Sequence, residues 1–224
     1  AFVCSHVLAD VRGLKSSPLG CDCNKILEIA RQCCLQDAEE VGSEDLERFR
    51  TTARKTMTLD IGDNLRVINI HVKEMKTEAG TKFLADYMRC LCHPEKINFV
   101  LADTNIPNSS KVKAFTARAS TLGLYVIPSS SMTTRKKRSE LHGQMYDERK
   151  CLKVVEATKD FCLCWAGGEQ RERVEASLSQ WEVKVFPELS EEAELLLPHA
   201  HWPTDHAMLV AEVDILQHLL SPSS

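Results

Sequence analysis

Several groups of polar residues in this chain stand at the ends of apolar runs, and their side chains are ones that move protons or bind phosphate. Ile97-Asn98-Phe99-Val100-Leu101-Ala102 is too short for a helix and rich in strand formers, then breaks into Asp103, Thr104 and Asn105 before the turn at Pro107-Asn108. A carboxylate and an amide delivered to the rim of a buried strand stand where open sheets keep their ligand sites. The same residues also do ordinary turn chemistry by bonding their own backbone. Along Leu65 to Val72, alternation puts Leu65, Val67, Asn69 and His71 on one face and Arg66, Ile68, Ile70 and Val72 on the other. Asn69 and His71 therefore interrupt an apolar face near a strand end, which suits a site and also suits a histidine satisfied within a core. Thr204-Asp205-His206 stands immediately before the apolar run Ala207 to Val213. Arg135-Lys136-Lys137-Arg138, flanked by hydroxyls, could pair with phosphate oxygens; as a bare charge run it reads as a solvated loop. His199, His201 and His206 are close enough to raise zinc, but Pro203 breaks their spacing and there is no H-E-x-x-H helix.

The elements that must position these groups follow from periodicity. Phe2 to Leu8 is a short apolar piece, and Ser16-Ser17-Pro18-Leu19-Gly20 is a turn cluster. Helical spacing runs from Asn24 to about Glu40, and Ser43 caps a short helix through Phe49. From Thr51 the pattern turns to strand: Thr56 to Leu59, the Asp60 to Asn64 turn, then Leu65 to Val72, a hairpin. Phe83, Leu84, Tyr87, Met88 and Leu91 make the buried stripe of a helix over Thr77 to Cys92. Strand, helix and strand from Val67 to Leu101 make a crossover unit. A helix over Lys111 to Thr121, closed by Gly123, precedes the strand Leu124 to Pro128. Val154 and Val155, then Phe161, Leu163 and Trp165, predict strands, with Asp160 entering the second. A helix over Glu169 to Ser179, a half-buried strand over Trp181 to Phe186 and a strand over Ala207 to Val213 complete the pattern.

The chain has 224 residues, enough for one large domain with a real core. Its formal net charge of -4 excludes a global positive field for nucleic acid or anionic membrane, though not a local basic patch. No apolar run predicts a membrane-spanning segment, and Ala1-Phe2-Val3-Cys4 has no signal-peptide pattern. The ten cysteines show no paired C-x-x-C zinc spacing, and Cys162 and Cys164 would share one strand face as small hydrophobes. Reduced cysteines and an intracellular setting, cytoplasm or nucleus, are the expectation. The chain starts without Met, which suggests that the true start of the gene product has been removed or lies upstream.

Asn69-Ile70-His71-Val72, Ala102-Asp103-Thr104-Asn105 and Thr204-Asp205-His206, in this order, resemble the N-x-H-(L/V), G-D-x-N and S-D-H motifs of the endonuclease/exonuclease/phosphatase superfamily. Thr134-Arg135 followed by Lys159-Asp160-Phe161 is similar to a less specific fourth element. The resemblance runs from about Arg48 to Leu216. It implies an α/β fold, a deoxyribonuclease-I-like sandwich of two mixed sheets flanked by helices, in a domain over 48–217. A poorly matched, mostly helical segment (1–47) would precede it and a short tail (218–224) follow it. Two departures stand out. Ala102 replaces the family's glycine, and residues 1–47 contain neither the Asn strand nor the Gln-Glu strand whose Glu is a metal ligand, so that portion either lies outside this sequence or has been lost.

The resemblance implies Mg²⁺- or Mn²⁺-dependent hydrolysis of a phosphate ester, by a nuclease or phosphodiesterase. Asp103 would orient or deprotonate the attacking water, and Asn105 would hold the scissile phosphate. His206 would meet the developing negative charge with Asp160 as its partner, His71 would donate to a phosphate oxygen, and Asp205 would lie on the metal side. Asn69 and Arg135 would bind substrate. The family acts on DNA, RNA, phosphoinositides and sphingomyelin, so nucleic acid and a phospholipid headgroup both remain as partners. The missing Glu motivates a rival, an inactive member acting as a binding or scaffold protein, and a generic α/β domain with chance matches is a third reading.

Overall fold

The computed structural model describes residues 15–18, 43–53, 56–106, 108–129, 132–139, 152–168, 170–187, 189 and 206–211. Its strands are β1 (Lys15–Pro18), β2 (Thr56–Ile61), β3 (Leu65–His71), β4 (Ile97–Asp103), β5 (Tyr125–Ile127), β6 (Thr134–Ser139), β7 (Leu152–Ala157), β8 (Asp160–Ala166), β9 (Val183–Phe186) and β10 (Met208–Ala211). Its helices are α1 (Ser43–Ala53), α2 (Glu78–Leu91), α3 (Ser109–Thr121) and α4 (Gln170–Ser177). Six strands form one mixed sheet in the order β1-β2-β3-β4-β8-β5. The predicted hairpin is the antiparallel pair β2/β3, and the predicted crossover is β3-α2-β4 with parallel strands. β8 runs antiparallel between β4 and β5.

Why β4 and β8 read as unbroken apolar runs is plain from their two faces. Val100, Ala102, Phe161, Leu163 and Trp165 pack with Ile68 and Ile70 under Phe83, Leu84, Tyr87 and Met88 of α2 and Phe115 and Ala119 of α3. The alternate residues Ile97, Phe99, Cys162, Cys164 and Ala166 pack on the other face with Trp181 and Val183, and with Leu209 and Ala211 of β10. A strand covered on both sides has no polar face to show. Along β9 the burial alternates, with Val183 and Val185 buried and Lys184 and Phe186 exposed, as a half-covered strand requires.

Local chemistry fixes the helix on the first face. The Thr77 hydroxyl caps α2 by accepting from Gly80 N at 2.9 Å. Asp45 of α1, fully buried, accepts from Lys76 N at 2.7 Å, Thr77 N at 3.0 Å and the Thr77 hydroxyl at 2.6 Å. Only glycine fits at position 80, because a Cβ there would sit 2.3 Å from Asp45 Oδ2. The Asn108 side chain caps α3 through Lys111 N at 3.0 Å, and Gly123, with φ +70°, ends it in the left-handed conformation predicted for it.

The fold departs from the sequence reading in three places. α1 continues to Ala53 instead of stopping at Phe49, because the buried Thr52 donates its hydroxyl back to Arg48 O at 3.0 Å and stays in register with the helix. Lys15–Pro18, within the turn cluster, is an edge strand pairing with β2, where a proline is tolerated. Arg135 to Arg138 is not a loop but the middle of β6, laddered against β7; strand pairing sets that backbone whatever the side-chain charge. Besides the mixed sheet, the described residues form two antiparallel strand pairs, β9/β10 and β6/β7. The helix predicted over Asn24 to Glu40 lies outside the described residues. Cys92, Cys162 and Cys164 are free thiols, and burial pushes Cys92 and Cys162 up to about 12, so these two stay protonated hydrophobes. Among the described residues no helix is long and apolar enough to cross a membrane.

Candidate functional site

Strand parity decides which side chains meet. His71 closes the β3 face that carries Leu65 and Asn69, Asp103 closes the β4 face that carries Ile97 and Phe99, and Asp160 opens the β8 face that carries Cys162 and Cys164. Register then sets them side by side, with His71 opposite Asp103 and Asp103 opposite Asp160. All three lie at one edge of the sheet, on the face covered by β9 and β10. His206 comes from that covering layer, two residues before β10 begins.

The contacts are close. His206 Nδ1 lies 2.8 Å from Asp160 Oδ2, and His71 Nε2 lies 3.6 Å from Asp103 Oδ2. Ligand atoms of Asp103, Asp160 and His206 fall within 4.8 Å of one another. Asp103 is the strained member electrostatically. Burial raises its pKa above the ordinary carboxylate value, and the charge of Asp160 raises it further; His206, His71 and the Asn105 N–H pull the other way without winning.

Asn105 leaves β4 with φ 48°, a left-handed conformation that asparagine accepts more readily than most residues. Its backbone N–H donates to Asp103 Oδ1 at 3.2 Å and its side-chain amide donates to Val72 O at 3.1 Å. Its Oδ1 faces Lys159 Nζ at 3.5 Å. Asn105 thus ties the ends of β3 and β4 together, and one amide hydrogen is left over for a ligand.

Three supporting residues escaped the sequence reading. Thr133, fully buried, accepts from Lys159 N at 2.9 Å and Asp160 N at 3.1 Å through its hydroxyl, while its carbonyl accepts from Ala207 N at 2.8 Å. One residue thereby holds both Asp160 and the segment carrying His206. Thr104 donates its hydroxyl to Lys159 O at 2.7 Å, joining β4 to the start of β8. Lys159 itself is buried, which is rare for lysine and pairs it with polar groups at the site. Nothing in a hydroxyl run such as Ser129 to Thr134 singles out one threonine; the adjacency of Lys159 to Asp160 was the one available signal.

The other sequence candidates fall elsewhere. Asn69 is on the same face as His71 but one pleat back, opposite Leu101, and is not in the His71, Asp103, Asp160 row. Arg135 is in β6 opposite Glu156. Asp205, like His199 and His201, lies outside the described residues. The metal-side assignment to Asp205 alone is thus widened, because the described donors that converge are Asp103, Asp160 and His206.

That donor set fits a hard divalent cation. Mg²⁺ needs one or two carboxylates and keeps several waters, Mn²⁺ also accepts imidazole, and the raised pKa of Asp103 marks negative charge that a cation would offset. No family model, curated protein or solved structure matches the chain.

Proposed function

We propose that the chain hydrolyses a phosphate diester with Mg²⁺ or Mn²⁺, as a member of the endonuclease/exonuclease/phosphatase type built on a deoxyribonuclease-I-like sandwich. What supports this most is the meeting of His206 and Asp160, 46 positions apart in the chain, at 2.8 Å beside Asp103. Separate strings with the motif order of one enzyme class converge on one rim.

Asp103 and Asp160 would hold the cation, with Asp205 joining from the neighbouring segment. Bound there, the ion supplies polarisation of a phosphoryl oxygen and offsets charge on the leaving group. The side chains do the rest. Each carboxylate oxygen has two lone pairs, so Asp103 Oδ1, which already accepts from Asn105 N–H, can also accept from an attacking water, orient it and take its proton. Asp160 fixes the His206 ring through Nδ1, so that the opposite ring nitrogen is the one aimed at phosphate. His71, half-exposed at the rim, donates to a second phosphate oxygen. Asn105 adds its remaining amide hydrogen.

Hydrolysis of bis(p-nitrophenyl) phosphate and of labelled DNA, RNA and phosphoinositide with Mg²⁺ tests this. Asp103→Asn should lower turnover by about 10²- to 10⁴-fold, the range for losing a general base, with the fold retained by circular dichroism. Activity retained in that variant would end the assignment.

A second reading rests on Asn105, whose amide is engaged with Val72 O. If the one amide hydrogen left over does not reach a phosphate placed for attack, the same rim binds a cation and a phosphate without turnover, as an inactive binding or scaffold protein does. Calorimetric Mn²⁺ binding that needs Asp103, with no hydrolysis of any substrate in the panel, would establish that reading in place of the first.

A further inference from the structure

Lysine is almost never fully buried, yet Lys159 is only 6% exposed, and among the described residues it is the one cationic side chain classed with the interior. Its backbone is fixed on both sides. Lys159 N donates to the Thr133 hydroxyl at 2.9 Å, while Lys159 O accepts from Thr104 N at 2.8 Å and from the Thr104 hydroxyl at 2.7 Å. The ammonium is thereby delivered to the end of β4, where it meets Asn105 Oδ1 at 3.5 Å. That is long for a hydrogen bond, and the attraction is that of a full charge for an amide oxygen. An asparagine side chain can show either its oxygen or its NH₂ group at one and the same place, and its neighbours decide which. Here two neighbours agree. Nδ2 donates to Val72 O at 3.1 Å while Oδ1 faces the ammonium. Turned over, the amide would set oxygen against carbonyl oxygen and NH₂ against ammonium. The backbone gives no relief, since Asn105 N–H is tied to Asp103 Oδ1 at 3.2 Å. The amide oxygen is the one atom of this side chain that a hard cation would take, and it is turned to a cation of the protein's own.

We propose that Lys159 is a positioning residue: by engaging the Asn105 amide oxygen it makes that side chain an N–H donor to the substrate's phosphate and withholds it from the metal ion. The proposal rests on the phosphodiesterase reading and adds to it which end of Asn105 the phosphate meets. Lys159 acts through Asn105 and not on the substrate itself. The metal ion is left to the carboxylates of Asp103 and Asp160, whose ligand atoms lie within 4.8 Å of each other. One rim thus keeps two tasks apart, with acids for the cation and an amide for the anion.

Nuclear magnetic resonance of the ¹⁵N-labelled wild-type chain tests this apart from turnover, with the Asn105 side-chain amide identified by its loss in Asn105→Ala. Inorganic phosphate added with Mg²⁺ should move one of the two amide protons, the one not given to Val72, and move it further than Mg²⁺ alone does. Greater movement on Mg²⁺ alone would mark the oxygen as a ligand of the cation and overturn the proposal, and so would no movement with phosphate. Neither result needs a Lys159 variant, so a variant that failed to fold would leave the test standing. Lys159→Met should weaken phosphate binding about fivefold, the factor that the net contribution of one hydrogen bond corresponds to. Lys159→Arg, which keeps the charge, should lose less. In an Asn105→Ala chain, Lys159→Met should weaken phosphate binding no further, because the two residues act as one. An equal loss in both backgrounds would show Lys159 acting on phosphate by its own charge or through the fold, and would overturn the positioning role. Hydrolysis of bis(p-nitrophenyl) phosphate decides the enzyme reading separately. Turnover by a chain whose Asn105 amide ignores phosphate would sink the proposal and keep the enzyme, whereas phosphate-dependent movement without turnover would keep the role of Lys159 and sink the enzyme.

Discussion

The same strands carry polar clusters at both ends, and the two clusters solve their electrostatics in opposite ways. At the end where β3 and β4 begin, Asp60 is clamped by Arg66 at 2.7 and 3.0 Å and approached by Lys96 at 3.4 Å. The Arg66 guanidinium holds the Asp60 carboxyl below its ordinary pKa. Asn98, fully buried there, accepts from His93 N at 2.7 Å and donates toward the carbonyls of His93, Lys96 and Trp165 at 3.0, 2.6 and 3.2 Å. At the other end, acid faces acid, and Asp103 is held above its ordinary value. The first end is finished within the chain. The second keeps an acid raised by burial and by a neighbouring acid, which is the electrostatic pattern expected of a binding site.

The contrast predicts where substitution hurts the fold and where it does not. Asn98→Leu should cost the most, about 2–4 kcal/mol, because a buried backbone N–H and carbonyls lose their partner with no water to replace it. Urea unfolding should show the loss as a lower midpoint with an unchanged slope. A cost under 0.5 kcal/mol would mean that this end is not the closed network described.

How far the sequence could see this is itself uneven. β3, β4 and β8 were legible because alternation and continuous apolar runs report coverage directly; parity put Asn69 and His71 on one face of β3, but the register that sets His71, Asp103 and Asp160 side by side has no local signal. Asn105 was legible as a rim residue but not as a tie to Val72, since a hydrogen bond to a carbonyl 33 positions away leaves no local pattern. Thr133 was illegible for the same reason, as one hydroxyl in a row of them. The basic run misled because charge patterning reports solvation, whereas the β6/β7 ladder is made by backbone groups that every residue but proline supplies.

Asp103→Asn should raise the melting temperature in EDTA near neutral pH. A carboxyl whose pKa is raised by folding binds its proton more tightly in the native chain, so ionising it destabilises the fold as pH rises through the folded value. The neutral amide removes that penalty. The gain should therefore shrink as pH falls and vanish below the unfolded value near 3.8, and a melting temperature that falls at pH 7 would show the negative charge at the rim to be balanced already.

Asp60→Asn at the opposite end should carry the other sign. Its carboxyl is held down by Arg66, so it contributes stability above the unfolded value near 3.8, and that contribution is lost as pH falls through the lower folded value. The pair is about a third exposed on the Asp60 side, and solvent screens it, so the loss should stay below about 1 kcal/mol and shrink further in 1 M salt. Melting curves of the two variants in parallel, from pH 7 down to pH 3, should approach the wild type from opposite sides. If both variants melt on the same side of the wild type at neutral pH, the two ends of the sheet do not differ in the way their acids are held.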